Sequence, residues 1–414
     1  MNSITKTITT NVIFIFAIFN VNLVSQNFVN DLFRLEKQIL LEDLSNEPIP
    51  NSREITNGDW NNIQFFENDL YVMNLNKIEN SKSTGRHFKL YIFSENENRI
   101  LEVPVIKRNL LRDDYYESFA VSGKYLCILA QFNVYIYSIE NNNVKFIRKV
   151  ALDYFYNLIQ LEGDKIIITM SGITAQTTVN GNHTNALIYD IAQNKTILKK
   201  SLSNPTGIEQ SFFAPSNFIT YHNGFFAVSD VTKYQIHIYD TALNLIQTLS
   251  HRSNNWRDIK DCEKCQEVMN TVDLKSPNVH STISKLNSIN PHISTVRRIN
   301  FINDTTLFVC IENLEADYWD GEWYYDIWKK RNGKWEIDKS DFKVKGTLNT
   351  TILRFDCFGA SYIISGGKLL TTAAIPFLIK KEEFSNPLAI KERMEDYFID
   401  NPLKYSVFVY EIKD

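Results

Sequence analysis

Short apolar runs alternate with tight polar turns along this chain, and the alternation repeats. Residues 224–240, "GFFAVSDVTKYQIHIYD", show one copy. An apolar strand is followed by a brief polar loop and a second alternating strand that closes on a β-branched, an aromatic and a polar residue. Equivalent first strands stand at "LYVMN" (70–74), "LCILA" (126–130), "IIITM" (166–170), "LFVCI" (307–311) and "LLTTAA" (369–374). Their second strands follow at "LYIFS" (90–94), "VYIYS" (134–138), "ALIYD" (186–190), "YDIWK" (325–329) and "VFVYE" (407–411). A further apolar segment and a tight turn precede each first strand, and five second strands run on into an outer strand such as "NVKFIRKV" or "KTILKKSL". Four strands per unit, recurring with a period near the roughly forty to fifty residues of blade repeats, predict an all-β six-bladed β-propeller of four-stranded antiparallel blades. It spans residues 57–414.

The last copy stops at Asp414, directly after its third strand, so the outer strand of that blade is expected from the N-terminal segment 26–56, which would close the ring. "KQILLEDLS" (37–45) is the candidate, while residues 28–41 also fit an amphipathic helix through Phe28, Leu32, Leu35 and Ile39. Both readings stay open at this level.

The stretch "APSNFITYHNGFFAVSDVTKYQIHIYD" (214–240) resembles a blade of the six-bladed NHL/TolB-like propellers. Those repeats run from a Pro through an apolar strand and a Gly turn to a second strand ending in a Tyr-Asp pair. The pattern as a whole is similar to that of secreted six-bladed propellers of Bacteroidetes-type bacteria. The resemblance implies a fold rather than an activity, because such propellers include enzymes, binders and scaffolds.

Excess length is not shared evenly between the two ends of the predicted strands. Turns joining strands one to two are short and rich in Gly, Asn or Asp, as are those joining three to four. The opposite end collects "NKIENSKSTGRH" (76–87), "KRNLLRDDYYES" (107–118), "SGITAQTTVNGNHTN" (171–185), "NPTGIEQSFFAPSN" (204–217) and two insertions, 251–294 and 375–404. Within the second insertion, a Ser/Asn cap, Pro387 and the spacing of Ile390, Met394 and Tyr397 predict a short helix over 387–399. Loops on a rigid scaffold commonly carry binding sites, so the loop-rich face is the expected working face.

Composition narrows the partners. Formal charge is −4, with 44 Lys and Arg against 48 Asp and Glu, which leaves no electrostatic handle for a phosphate backbone and argues against nucleic acid. The basic knot "KKRNGK" (329–334) surrounds an Asn-Gly pair and reads as a solvated hairpin turn. The first residues carry one cation, Lys6, then the apolar run 12–19 and a polar end, the pattern of a signal peptide over 1–25. That run is too short to span a bilayer, so the mature chain is expected to be secreted or periplasmic, with no integral membrane segment, and to act as a monomer. Sequons at Asn182, Asn194, Asn303 and Asn349 would matter only in a eukaryotic host.

No local motif of nucleophilic, phosphate-binding or zinc-protease chemistry is present. Cys262 and Cys265, in "CEKC", could form a loop disulfide, remain thiols, or contribute to a metal or redox site with His280 and His292. Cys127, Cys310 and Cys357 read as small buried hydrophobes. In "ENLEADYWDGEWYYDIW" (312–328), Trp323, Tyr325 and Trp328 are expected to pack against the neighbouring blade. Tyr318 and Trp319, at the tip, suit stacking on a sugar ring or a peptide side chain. Residues expected at the channel mouth are Tyr116, Asn157, Asn217 and Arg297, with Asp230 and Lys233 on a rim loop and Arg354 nearby. Their mix of amides, cations and one acid suits polar or anionic groups better than calcium. The expected function is therefore non-enzymatic binding of a protein, peptide or glycan, with no cofactor. The alternative is a metal-dependent hydrolase or lyase of the six-bladed propeller type, in which calcium at the central channel would be the cofactor.

Overall fold

A computed structural model describes residues 33–41, 63–80, 83–95, 97–104, 116–130, 132–153, 156, 158–169, 186–200, 202, 219–230, 233–251, 253–258, 263, 267, 294–313, 322–343, 362–375 and 404–412. They form twenty-four strands in six four-stranded antiparallel sheets, a six-bladed β-propeller.

β1 (Phe33–Leu40) comes first in the chain but belongs to the last sheet. Blade 1 comprises β2 (Ile63–Phe66), β3 (Asp69–Asn80), β4 (Ser83–Phe93) and β5 (Arg99–Val103). Blade 2 comprises β6 (Tyr116–Val121), β7 (Tyr125–Ala130), β8 (Asn133–Glu140) and β9 (Asn143–Ala151). Blade 3 runs through β10 (Leu158–Glu162), β11 (Lys165–Thr169), β12 (Ala186–Asp190) and β13 (Lys195–Lys200). Blade 4 holds β14 (Ile219–His222), β15 (Phe225–Ser229), β16 (Gln235–Tyr239) and β17 (Leu245–Ser250). Blade 5 holds β18 (Ser294–Asn303), β19 (Thr306–Asn313), β20 (Glu322–Arg331) and β21 (Lys334–Lys343). Blade 6 is β22 (Tyr362–Ser365), β23 (Lys368–Ile375) and β24 (Lys404–Ile412), with β1 as its outer strand.

The chain divides into two compact units. One contains β1, blade 6 and most of blade 1; the other contains blades 2 to 5.

In the first unit, β1 pairs antiparallel with β24 from Phe33↔Ile412 to Leu40↔Ser406. The outer strand thus begins four residues before the 37–45 segment, and the helical reading of 28–41 is corrected over 33–40. Leu35 and Ile39 fit a helical spacing, but only a strand can satisfy the open edge of β24. Leu41 is fully buried with Ile63, Phe65, Val72, Leu370, Val407 and Val409, and Ile39 packs against the same cluster. A second correction concerns 76–87. It was expected as a loop, yet β3 extends to Asn80 and β4 begins at Ser83, so most of it is a hairpin. Backbone pairing holds such an extension without needing apolar side chains.

In the second unit, the first strands of neighbouring blades meet, which makes them the innermost. Middle strands sandwiched between blades are buried on both sides: all of β7, β12 and β19 is buried. Outer strands are largely exposed, as in β13. Three apolar clusters join the blades in sequence. Ile136, Tyr156, Ile166 and Leu187 link blades 2 and 3; Ile188, Ile219, Tyr221 and Phe226 link 3 and 4; Ile236, Val296, Val309 and Trp328 link 4 and 5.

A β-bulge recurs in the outer strands. It lies opposite the junction Ile136/Tyr137 in blade 2, Ile188/Tyr189 in blade 3, Ile238/Tyr239 in blade 4, Ile327/Trp328 in blade 5 and Val409/Tyr410 in blade 6. The unpaired extra residues are Ile147, Ile197, Ile246, Asp338 and Glu36. The β-branched–aromatic ending seen in the sequence therefore marks the position where each outer strand kinks.

Candidate functional site

Strand alternation places the one-to-two and three-to-four turns at one end of each sheet, and the other connections at the opposite end. Every described turn of the first kind is short, never more than five residues between strands. Several need left-handed backbone: Asn141 and Asn142, Asn332 and Gly333, and Gly366 and Gly367 all have positive φ. The "KRNG" knot is such a turn.

Side chains latch these short turns together. Tyr221 Oη donates to Glu162 Oε2 at 2.9 Å, and the Asn223 amide donates to Glu162 Oε1 at 2.7 Å. On the other side of the same turn, His222 Nε2 lies 2.9 Å from Asp304 Oδ1, and Asn223 Nδ2 donates to Asp304 Oδ2 at 3.0 Å. Lys124 and Asp164 make the equivalent link between blades 2 and 3 at 3.4 Å. In the first unit, the Phe65 amide donates to Ser365 Oγ at 2.9 Å, and that hydroxyl donates to Phe65 O at 3.2 Å. Within each unit these short turns are tied to those of a neighbouring blade.

The opposite end receives all the long connections. There the structure places four of the expected site residues. Tyr116 opens β6 opposite Ala130. Arg297 is the extra residue of a bulge in β18, between Val296 and Arg298. Asp230 and Lys233 lie in the β15–β16 connection, where the Asp230 amide donates to Gln235 O at 2.8 Å and the Gln235 amide donates to Lys233 O at 2.6 Å. Asn157, Asn217, Tyr318, Trp319, Arg354, the Cys262–Cys265 pair and the helix over 387–399 lie outside the described residues, as does Cys357. Cys127 and Cys310 are buried and in no disulfide, as their strand positions implied. Tyr325 and Trp328 are both buried, on opposite faces of β20: Tyr325 stacks on Phe308, whereas Trp328 joins the junction of blades 4 and 5.

That junction contains polar chemistry that the sequence reading did not single out. Asp326, in the middle of β20, is fully buried. Its Oδ2 accepts from Tyr234 Oη at 2.5 Å and its Oδ1 from the Asp341 amide at 2.8 Å. Trp328 Nε1 donates in turn to Tyr234 Oη at 3.1 Å. Asp341 has a φ of 56°, the left-handed backbone of a second bulge in β21, and this turns its amide toward Asp326. Its own carboxylate accepts from Ser253 Oγ, the Asn254 amide and Asn255 Nδ2. His251 stacks edge-on against Tyr234 at 5.9 Å, with Nε2 4.0 Å from Asp341 Oδ2. Trp256 stacks edge-on against the same tyrosine at 5.6 Å.

The 251–294 insertion is rooted in this network. After Trp256, the Arg257 amide donates to Ser294 Oγ at 2.8 Å and the Ser294 amide donates to Arg257 O at 2.9 Å. Ser294 Oγ also bonds Asn313 Oδ1, and Asn313 Nδ2 donates to Asn255 O at 3.2 Å. The chain therefore leaves at Arg257 and returns at Ser294 through a neck one residue pair wide. Glu263 and Glu267, the two described residues between 259 and 293, carry helical backbone.

Burial raises the Asp326 carboxyl above the ordinary carboxylate range, and the donors from Tyr234 and Asp341 offset only part of that. Burial, and then the charge of Asp326, push the Tyr234 hydroxyl well above its usual value. These groups are anchors with the character of a buried, hydrogen-bonded polar core. Among the described residues, no three His, Cys, Asp or Glu side chains gather as a metal site requires. One sequence signal pointed to the network: an aspartate breaking the apolar run "WYYDIW" (323–328).

No protein-family model matches the chain, and no curated protein matches it in sequence. Solved structures resemble it at low identity. A protein described as exported from Bacteroides fragilis is 12% identical over 92% of this chain and 96% of its own, with a TM-score of 0.49. A DUF4221-family member from Bacteroides vulgatus is 11% identical over 93% of this chain and 99% of its own, at 0.47. The apo form of AztD from Citrobacter koseri is 12% identical over 45% of this chain and 46% of its own, at 0.32. The class to which the chain is assigned, a six-bladed β-propeller, rests on its own strand order and register.

Proposed function

We propose that this is an exported, monomeric, non-enzymatic propeller that binds a protein, peptide or glycan through the end of its blades that carries the long connections. Within the propeller class we place it with the NHL/TolB-like group, on the sequence of its fourth unit, "FFAVSDVTKYQIHIYD". The proposal of export rests on the apolar run and polar end of residues 1–25.

The observation that carries the reading is the rooting of the 251–294 insertion. A loop retained only by drift needs no buried support, whereas here Asp326, Asp341, Ser253, Ser294 and Asn313 hold both ends of one loop in register. Burying these polar groups is costly unless all are paired, so the arrangement supports a role in fixing where the loop emerges. The latched turns at the other end leave little room for a partner-specific surface.

The test replaces residues 258–293 with a short Gly-Ser linker between Arg257 and Ser294. Wild-type and shortened protein are compared on a glycan array and against a displayed peptide library, with circular dichroism as the check on folding. Ligands selected by the wild type are expected to be lost by the folded variant. Retention of all of them by the variant would refute the assignment.

A further inference from the structure

The outer-strand bulges differ around the molecule in a way that packing does not explain. In blade 5 and blade 6 the extra residue is an acid neutralised by nearby cations: Asp338 with Lys329 and Arg331, Glu36 with Lys368. A charged bulge on an edge strand is a common device against edge-to-edge pairing. In blades 2, 3 and 4 the same position holds Ile147, Ile197 and Ile246, which are 36%, 43% and 47% exposed. An isoleucine there adds no charge to the protection that the bulge itself gives, and leaves apolar surface in water. Only six large apolar side chains among the described residues are this exposed, and five of them lie on these three outer strands.

Charge separates blades 2 and 3 from blade 4. β9, "NVKFIRKVA", and β13, "KTILKK", contain six cations and no acid, although the whole chain carries −4. Glu140 and Asp153, next to these strands, pair with Lys145 and Lys199, which leaves a local excess of positive charge. β17, "LIQTLS", carries no charge.

We infer that the outer strands of blades 2 and 3 form a docking surface for an anionic membrane, with Ile147, Phe146 and Ile197 entering the interfacial layer and the flanking lysines and Arg148 meeting the headgroups. Singly protruding apolar side chains between long cationic ones need no pocket, which suits a lipid interface. The bulges twist both edges away from strand addition, which disfavours an extended peptide as the occupant.

The measurement is cosedimentation with vesicles of equal parts phosphatidylglycerol and phosphatidylcholine. Wild-type protein is expected to bind, and the Ile147→Ser/Ile197→Ser double variant to bind about tenfold or more weakly, from the loss of two apolar contacts. Lys145→Gln/Lys195→Gln/Lys200→Gln is expected to bind weakly and to lose the salt sensitivity of the wild type. Ile246→Ser, on the uncharged strand, is expected to leave binding unchanged. All five positions altered in the two multiple variants are exposed, and circular dichroism confirms that each variant is folded. Wild-type protein that ignores vesicles but binds soluble polyglutamate would replace the membrane with an acidic protein and overturn the inference. Binding to neither, or vesicle binding indifferent to both multiple variants, would also overturn it.

Discussion

Asp326 shows how a single residue ties a blade to the loop above it. Its carboxyl is held above the ordinary range by burial, so the folded protein binds that proton more tightly than the unfolded chain does. For such a group the stabilising contribution is fully present below the unfolded carboxylate value, about 3.9, and is lost as pH rises through the higher folded value. Asp326→Asn removes this dependence. Urea unfolding across a pH series is therefore expected to show the variant gaining on wild type as pH rises above about 4. Parallel curves would show that the site is not strained by its charge. Tyr234→Phe removes one of the two donors and is expected to cost about 1–3 kcal/mol. Two glycines make a second contrast. At Gly366, φ is 56° and an added Cβ would lie 2.5 Å from Phe65 O; at Gly163, φ is 58° but nothing lies within 4 Å. Gly163→Ala is expected to cost about 1–2 kcal/mol from backbone strain alone. Gly366→Ala should cost clearly more, read as a larger fall in denaturation midpoint.

At the scale of the element, β1 completes blade 6. Its register with β24, the packing of Ile39 and Leu41, and ion pairs from Arg34 to Glu411 and from Glu36 to Lys368 all depend on one segment that is distant in sequence. Removing residues 1–41 is expected to lower the thermal midpoint sharply and to promote aggregation through the bared edge of β24, whereas removing 1–32 should leave the midpoint near that of the wild type. Equal midpoints would show that the strand is dispensable. The sixth repeat shows only three apolar strands of its own, so the need for a fourth was visible. It left the segment's conformation ambiguous, since Leu35, Ile39 and their neighbours satisfy helical spacing and strand pairing alike. The 76–87 segment was misread for the complementary reason: its polar composition resembles a loop, while hairpin pairing depends on the backbone. The bulges illustrate the same limit. The Ile-Tyr and Val-Tyr endings could be read directly, but the extra residue opposite each is fixed only by cross-strand register.

For the whole molecule, period and turn chemistry were enough to give six four-stranded blades, because radial repetition writes the same apolar pattern six times. The uneven distribution of loops was equally legible. The buried network at the root of the 251–294 insertion was not, because Tyr234, His251, Asp326 and Asp341 are far apart in sequence and each looks ordinary in its own segment. Of the residues expected at the working end, Tyr116 opens β6, Arg297 is the fourth residue of β18, and Asp230 and Lys233 lie in the five-residue β15–β16 connection. Their neighbourhood was read from position within a repeat, which gives the end of a strand but no contact.

Hydrogen exchange of the full chain, with and without a ligand selected by the wild-type protein, tests the central claim most directly. Slowed exchange is expected at Tyr116, at 230–235, around the Arg257–Ser294 neck and through the 258–293 insertion. Protection confined to the short turns at Lys124, Asp164, Asn223 and Asp304 would place recognition at the opposite end and contradict the account.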